Sequence, residues 1–101
     1  MSRRDPQEGA GRTALITGAS AGLGREFARQ LAAQGIDLVL VARRREPMEA
    51  LASELGDSHG VDVEIVTADL SEPAAPVMLA RTMRDKGLEV DYLVNNAGAE
   101  S

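Results

Sequence analysis

Between Leu15 and Gly24 the sequence reads LITGASAGLG, an apolar run that breaks off into a loop carrying Gly18, Gly22 and Gly24. A loop with so little side chain can bring its backbone close to something else. Gly18 supplies the backbone angles that a tight strand-to-helix turn demands. The missing Cβ atoms at Gly22 and Gly24 leave room for a diphosphate and for a neighbouring strand. Free N–H groups at the start of the following helix, together with its dipole, favour an anion there. The spacing is G-x-x-x-G-x-G rather than G-x-G-x-x-G, and Arg25 follows the last glycine where a P-loop would continue with Lys and Ser or Thr. Three glycines alone would also fit a turn that only packs, so the surrounding pattern has to decide.

That pattern is an alternation. Residues 12–17 form a short apolar run, as expected of a strand buried on both faces. From Gly22 the period changes: Leu23, Phe27 and Leu31 recur every fourth residue, and Gly35 supplies a stop. A second strand is expected at 36–42, rich in β-branched residues. Pro47 suits a first helical position, with Met48, Leu51, Ala52 and Leu55 as the apolar face and the run GDSHG as the end. A third strand is expected at 61–68. The turn DLSEP leads to a third helix with Pro73 and Pro76 near its start, Leu79, Ala80 and Met83 on its apolar face, and Gly87 at its end. A fourth strand is expected at 89–95. Strand-helix alternation with short links predicts an α/β fold, a partial Rossmann-type doubly wound parallel sheet. With four strands in the order 3-2-1-4 and right-handed crossovers, the first two of three helices cover one face and the third covers the other. Residues 1–11 read as a flexible lead-in, and 12–101 as a single folded unit.

Composition narrows the function classes. The 101 residues carry a net charge of −5, with no basic block other than Arg43–Arg45 and only Phe27 and Tyr92 as aromatics. Such a chain is a poor nucleic-acid binder. Without cysteine it has no disulfide, thiolate nucleophile or zinc–thiolate site, which fits a reducing compartment. No apolar core follows the arginines of the N-terminus, and no apolar run reaches the roughly 18–20 residues that cross a bilayer. The expectation is a cytoplasmic protein with no membrane partner.

Three landmarks, each at the carboxyl end of an expected strand, carry a resemblance. TGASAGLG at 17–24, ADL at 68–70 and NNAG at 95–98 are together similar to the signatures of the classical short-chain dehydrogenase/reductase (SDR) family. The resemblance runs from about Arg12 to Gly98. It implies a nicotinamide dinucleotide as cofactor, held by Gly18, Ser20, Ala21, Gly22, Leu23 and Gly24 in the loop. Asp69 would accept from the adenine amino group, the backbone of Leu70 would contact the ring, and Asn96, Ala97 and Gly98 would line the cleft, while Asn95 braces the sheet. Two of these have plainer readings beside them: Asp69 as a cap or turn residue before SEP, and Ser20 as a cap of the local turn.

The end of the second strand bears on which dinucleotide. An NAD site places a carboxylate there for the ribose 2′-hydroxyl; this sequence has Ala42, then Arg43, Arg44 and Arg45. A guanidinium fits phosphate oxygens bidentately, so NADP(H) is expected over NAD(H). Arg43 is the first candidate ligand and Arg44 the second, whereas Arg45 reads as a solvated helix start. His59 reads as a solvated loop residue and Tyr92 as core or edge packing.

The family resemblance also implies a proton donor, Tyr in a Tyr-x-x-x-Lys motif, assisted by Ser and Asn. These are absent, since Tyr92 is followed four positions on by Asn96. The chain therefore reads as the N-terminal part of a cofactor-binding domain, inactive by itself, whose parent exchanges hydride between NADPH and a carbonyl or alcohol. A fourth strand with one unpaired apolar edge predicts marginal stability, self-association and weak nucleotide binding. A non-catalytic nucleotide-binding or interaction module is the alternative. An extended relative acting on nucleotide sugars fits the glycine spacing and NNAG less well.

Overall fold

The computed structural model describes residues 11–20 and 22–96. Strands β1 (Thr13–Thr17), β2 (Asp37–Ala42), β3 (Val63–Thr67) and β4 (Tyr92–Asn95) alternate with helices α1 (Gly22–Ala33), α2 (Arg45–His59) and α3 (Ala75–Asp85). All pairings are parallel, in the order β3-β2-β1-β4, with Thr17 opposite both Val41 and Asn95. This is the expected doubly wound half-sheet. Apart from Gly11, the lead-in lies outside the described residues.

Side chains on β1 and β2 alternate between two cores, as the strand period requires. Ala14, Ile16, Leu38 and Leu40 face α1 and α2, while Leu15, Val39 and Val41 face α3. The two-helix face is closed at its centre, where these four strand residues are essentially inaccessible. The α3 face is less complete. There Leu15, Leu79, Met83, Val90 and Leu93 line an open apolar groove of about 490 Å³, and Leu93 is 66% exposed.

The stripe that α1 turns to the sheet is Gly24, Ala28 and Ala32, one residue round from the expected Leu23, Phe27 and Leu31. Leu31 packs at the edge of the core, Leu23 is largely exposed and Phe27 partly so. The cause is local. A Cβ on Gly24 would stand 2.2 Å from the Gly18 carbonyl oxygen, so helix and loop touch through backbone and the small-residue stripe must face inward.

Helix α2 begins two residues before the expected start. Pro47, its third residue, still falls in the first turn, where N–H groups have no helical partner to lose. The helix continues through Gly56 and ends at Gly60, a left-handed residue (φ 68°) whose N–H donates to the Gly56 carbonyl. His59 is thus the last helical residue rather than a loop residue, and it is exposed. On α3, Met83 is buried and Leu79 half-buried, but Ala80 is exposed beside the groove. Strands β3 and β4 are shorter than their apolar runs because their first residues join connecting turns.

Candidate functional site

The carboxyl ends of β1, β2 and β3 open into a cleft of about 300 Å³. This is where open parallel sheets place ligands, beside the point at which strand order reverses. Gly18 and Ser20 form one wall, Arg43 and Arg44 the second, and Asp69 and Leu70 the third. Six of the thirteen residues singled out by sequence therefore meet in one concavity.

Gly18 (φ 66°) and Gly22 (φ 61°) both occupy the left-handed region, where a side chain would be strained. The loop between them is held from several sides. The Ala19 N–H donates to the Val41 carbonyl at 3.3 Å, and Arg25 Nη2 donates to the Ser20 carbonyl at 2.8 Å. Asn96, buried at the end of β4, donates through Nδ2 to the Gly18 carbonyl at 3.4 Å. Its own N–H donates to Thr17 Oγ1 at 2.9 Å, and that hydroxyl lies 3.2 Å from Asn95 Oδ1. Asn96 thus braces the glycine loop from β4, and it is not among the residues that wall the 300 Å³ concavity. Gly24 packs beneath the loop against the Gly18 carbonyl, and Leu23, in the first turn of α1, is largely exposed; neither is among the residues that wall the 300 Å³ cleft. Ala21, Ala97 and Gly98 lie outside the described residues.

The arginine run divides. Arg45 pairs with Glu49 one turn along α2, at 3.2 Å, and is spent on that exposed contact. Arg43 and Arg44 line the cleft, and among the described residues neither has an ion-pair partner. Arg44 is also the extended residue preceding α2 and offers no side-chain cap. Two cations at the positive end of a helix are unfavourable unless an anion joins them.

Asp69 Oδ1 accepts from the Ser71 hydroxyl at 2.6 Å and from the Ser71 N–H at 3.0 Å. These bonds, the hydroxyl's first, hold its carboxyl below the ordinary value, and the charge of Arg43 acts in the same direction. The turn role of Asp69 is thus real, and it is compatible with a ligand role because both bonds use one oxygen. Thr17, Arg25 and Ser71 were not singled out by sequence. Ser71 had a signal, Ser two residues after Asp in a turn; Arg25 had none, because its partner is a backbone carbonyl.

Tyr92 and His59 lie far from this chemistry. Tyr92 starts β4, at the opposite end of the sheet, where the Arg12 guanidinium donates to its hydroxyl. His59 ends α2, a helix that starts at the cleft and runs about 20 Å away from it. Among the described residues no cluster of His, Cys, Asp and Glu could hold a metal ion, and no helix is long and apolar enough to cross a membrane.

A parallel sheet ordered 3-2-1-4, with a glycine turn leading into its first helix, defines a Rossmann-type α/β unit. The chain belongs to the short-chain dehydrogenase/reductase family, whose "short chain dehydrogenase" model it matches over residues 12–101. It is 34% identical over 98 residues, 96% of its length, to the human inactive hydroxysteroid dehydrogenase-like protein 1. Over 88 residues, 87% of its length, it is 41% identical to the very-long-chain 3-oxoacyl-CoA reductase of Scheffersomyces stipitis. It spans 29% and 25% of those two curated relatives. Among solved structures, the L-sorbose reductase of Gluconobacter frateurii, complexed with NADPH and L-sorbose, superposes with a TM-score of 0.81 at 36% identity. That match covers 90% of this chain and 35% of the reductase chain.

Proposed function

We propose that the cleft binds a nicotinamide dinucleotide, NADP(H) in preference to NAD(H), and that the chain is the cofactor-binding portion of a reductase. The carrying observation is the pair of cleft guanidiniums, Arg43 and Arg44, without ion-pair partners among the described residues and next to Ala42, where an NAD site would have a carboxylate. The residues present fit the group. Gly18 and Gly22 have the left-handed backbone of a phosphate-cradling turn, and the donor set at the second wall is cationic.

In this reading Arg43 holds the 2′-phosphate bidentately and Arg44 assists. Asp69, with Oδ1 occupied by Ser71, receives the adenine amino group on Oδ2, and Leu70 meets the ring. Gly18, Ser20, Ala21, Gly22, Leu23 and Gly24 surround the diphosphate; Asn96, Ala97 and Gly98 stand toward the nicotinamide end. When bound, the cofactor supplies or accepts hydride. The substrate of the whole protein would be a small carbonyl or alcohol compound, and its compartment the cytoplasm. The reductase complexed with NADPH supports the cofactor, and the family supports the reaction class.

This chain has no Tyr-x-x-x-Lys pair to return a proton to a developing alkoxide. The 101-residue chain is therefore expected to bind nucleotide without turnover. A purely binding role gains support from the relative whose name calls it inactive. Self-association through the free edge of β4 is the further expectation for the chain by itself.

Titration calorimetry with NADPH and NADH on the wild type and Arg43→Ala tests the cofactor reading. Loss of one charge-assisted bidentate contact should weaken NADPH by tenfold or more, about 1.5–3 kcal/mol, and leave NADH nearly unchanged. Equal losses for the two would defeat the NADP assignment.

A further inference from the structure

Arg25 occupies the first turn of α1, a turn without an acidic residue, where the helix dipole disfavours a cation. The dipole argues against such a placement, and the loop accounts for it. Its half-buried guanidinium reaches back across five positions to the Ser20 carbonyl, 2.8 Å from Nη2. Ser20 and Gly18 are the loop residues that wall the cleft. The Gly18 carbonyl is taken by Asn96 at 3.4 Å and the Ser20 carbonyl by Arg25. Both oxygens, which would repel a phosphate if they turned into the cleft, are thus bonded to side chains from neighbouring elements.

We propose that Arg25 is a positioning residue for anion binding. It acts as a clamp that holds the Ser20 carbonyl and so fixes the plane of that peptide and the set of the glycine loop. A peptide is planar and rigid, so anchoring its oxygen removes the rotation by which a glycine-flanked loop would present that oxygen to the ligand. This inference rests on the dinucleotide reading, but it assigns Arg25 no contact with the 2′-phosphate. Its influence falls on the diphosphate, which NADP and NAD share.

The test is calorimetry on the 101-residue chain and its Arg25→Met variant, which keeps an unbranched stem but removes the donor, with NADPH, NADH and adenosine 2′-monophosphate as probes. The expected result is a weakening of NADPH and NADH by the same factor, about tenfold, the worth of one hydrogen bond. Adenosine 2′-monophosphate, which has no diphosphate, should bind as before, the melting midpoint should stay in place, and the deficit should persist at 0.5 M salt on the order of a 4 Å screening length. Three results would overturn the clamp: unchanged binding, a loss confined to NADPH, or a loss that extends to adenosine 2′-monophosphate. A wild-type chain that takes up none of the three probes would defeat the dinucleotide reading itself, and the clamp with it.

Discussion

The two faces of the sheet are finished to different degrees. On one, α1 and α2 seal Ala14, Ile16, Leu38 and Leu40 from solvent. On the other, α3 alone lies over Leu15, Val39 and Val41 and leaves a groove of about 490 Å³ running out to the edge strand β4. The sealed face aims the cleft, since it holds the start of α1 against the glycine loop and the start of α2 beside Arg43. The open face contributes little to that alignment but carries the apolar surface. Order at a binding cleft and completeness of a core are therefore separable in this molecule.

The comparison can be broken most severely at the joint of the sealed face. Gly24→Ala would drive a Cβ to 2.2 Å from the Gly18 carbonyl oxygen, a clash with backbone that no rotamer relieves. A loss of about 3 kcal/mol by urea denaturation is expected, together with loss of nucleotide binding. Gly56→Ala, whose Cβ would come no nearer than 3.9 Å to the Val61 carbonyl oxygen, is the control and should stabilise by up to about 1 kcal/mol. Next in size is a pair of truncations. Leu40→Ala, in the sealed core, should cost about 3 kcal/mol, whereas Leu79→Ala, beside the groove, should cost about 1 kcal/mol. Equal costs would mean that the two faces are equally packed in solution.

Leu93→Lys tests the edge. β4 carries no charged residue, while Glu64 on the opposite edge strand is paired with Lys86 at 2.8 Å. A charge on β4 should shift sedimentation toward monomer with a change in stability of less than about 0.5 kcal/mol. Unaltered association would exclude this edge as its route. The smallest effect concerns acid. The hydrogen bonds from Arg29, which join α1 to α2, hold the Glu54 carboxyl below its ordinary 4.5. A depressed folded value contributes stability that is complete above 4.5 and fades as pH falls through that lower value. Glu54→Gln should therefore melt slightly below the wild type at pH 7 and together with it at the acid end of the range.

The parallel α/β class and the walls of the cleft were legible in the sequence because they follow from alternation and glycine-loop chemistry; once the order 3-2-1-4 is taken, crossover handedness sets the side of each helix. Gly18, Arg43 and Asp69 could be placed together from strand ends alone. The inward stripe of α1 could not, because hydrophobicity points to Leu23 and Phe27, whereas a backbone contact at Gly24 decides the rotation. The run GDSHG marked the end of α2 without saying which of its two glycines makes the stop. A glycine ends a helix by adopting the left-handed region, and here Gly60 does so while Gly56 remains helical. The division of Arg43–Arg45 into cleft and surface residues was legible in part, since the Glu49 that takes up Arg45 stands four residues on.

The hydrogen bond from the Asn96 N–H to the Thr17 hydroxyl joins residues 79 positions apart. Contacts of such separation close the longest loop and tend to form late, after local strand–helix–strand units have paired. Asn96 also supports the Gly18 carbonyl, so the back wall of the cleft is completed only when β4 docks beside β1. Cleft assembly is thereby tied to the strand pairing of greatest sequence separation in this sheet, and a chain whose fourth strand is undocked has the glycine loop without its rear support.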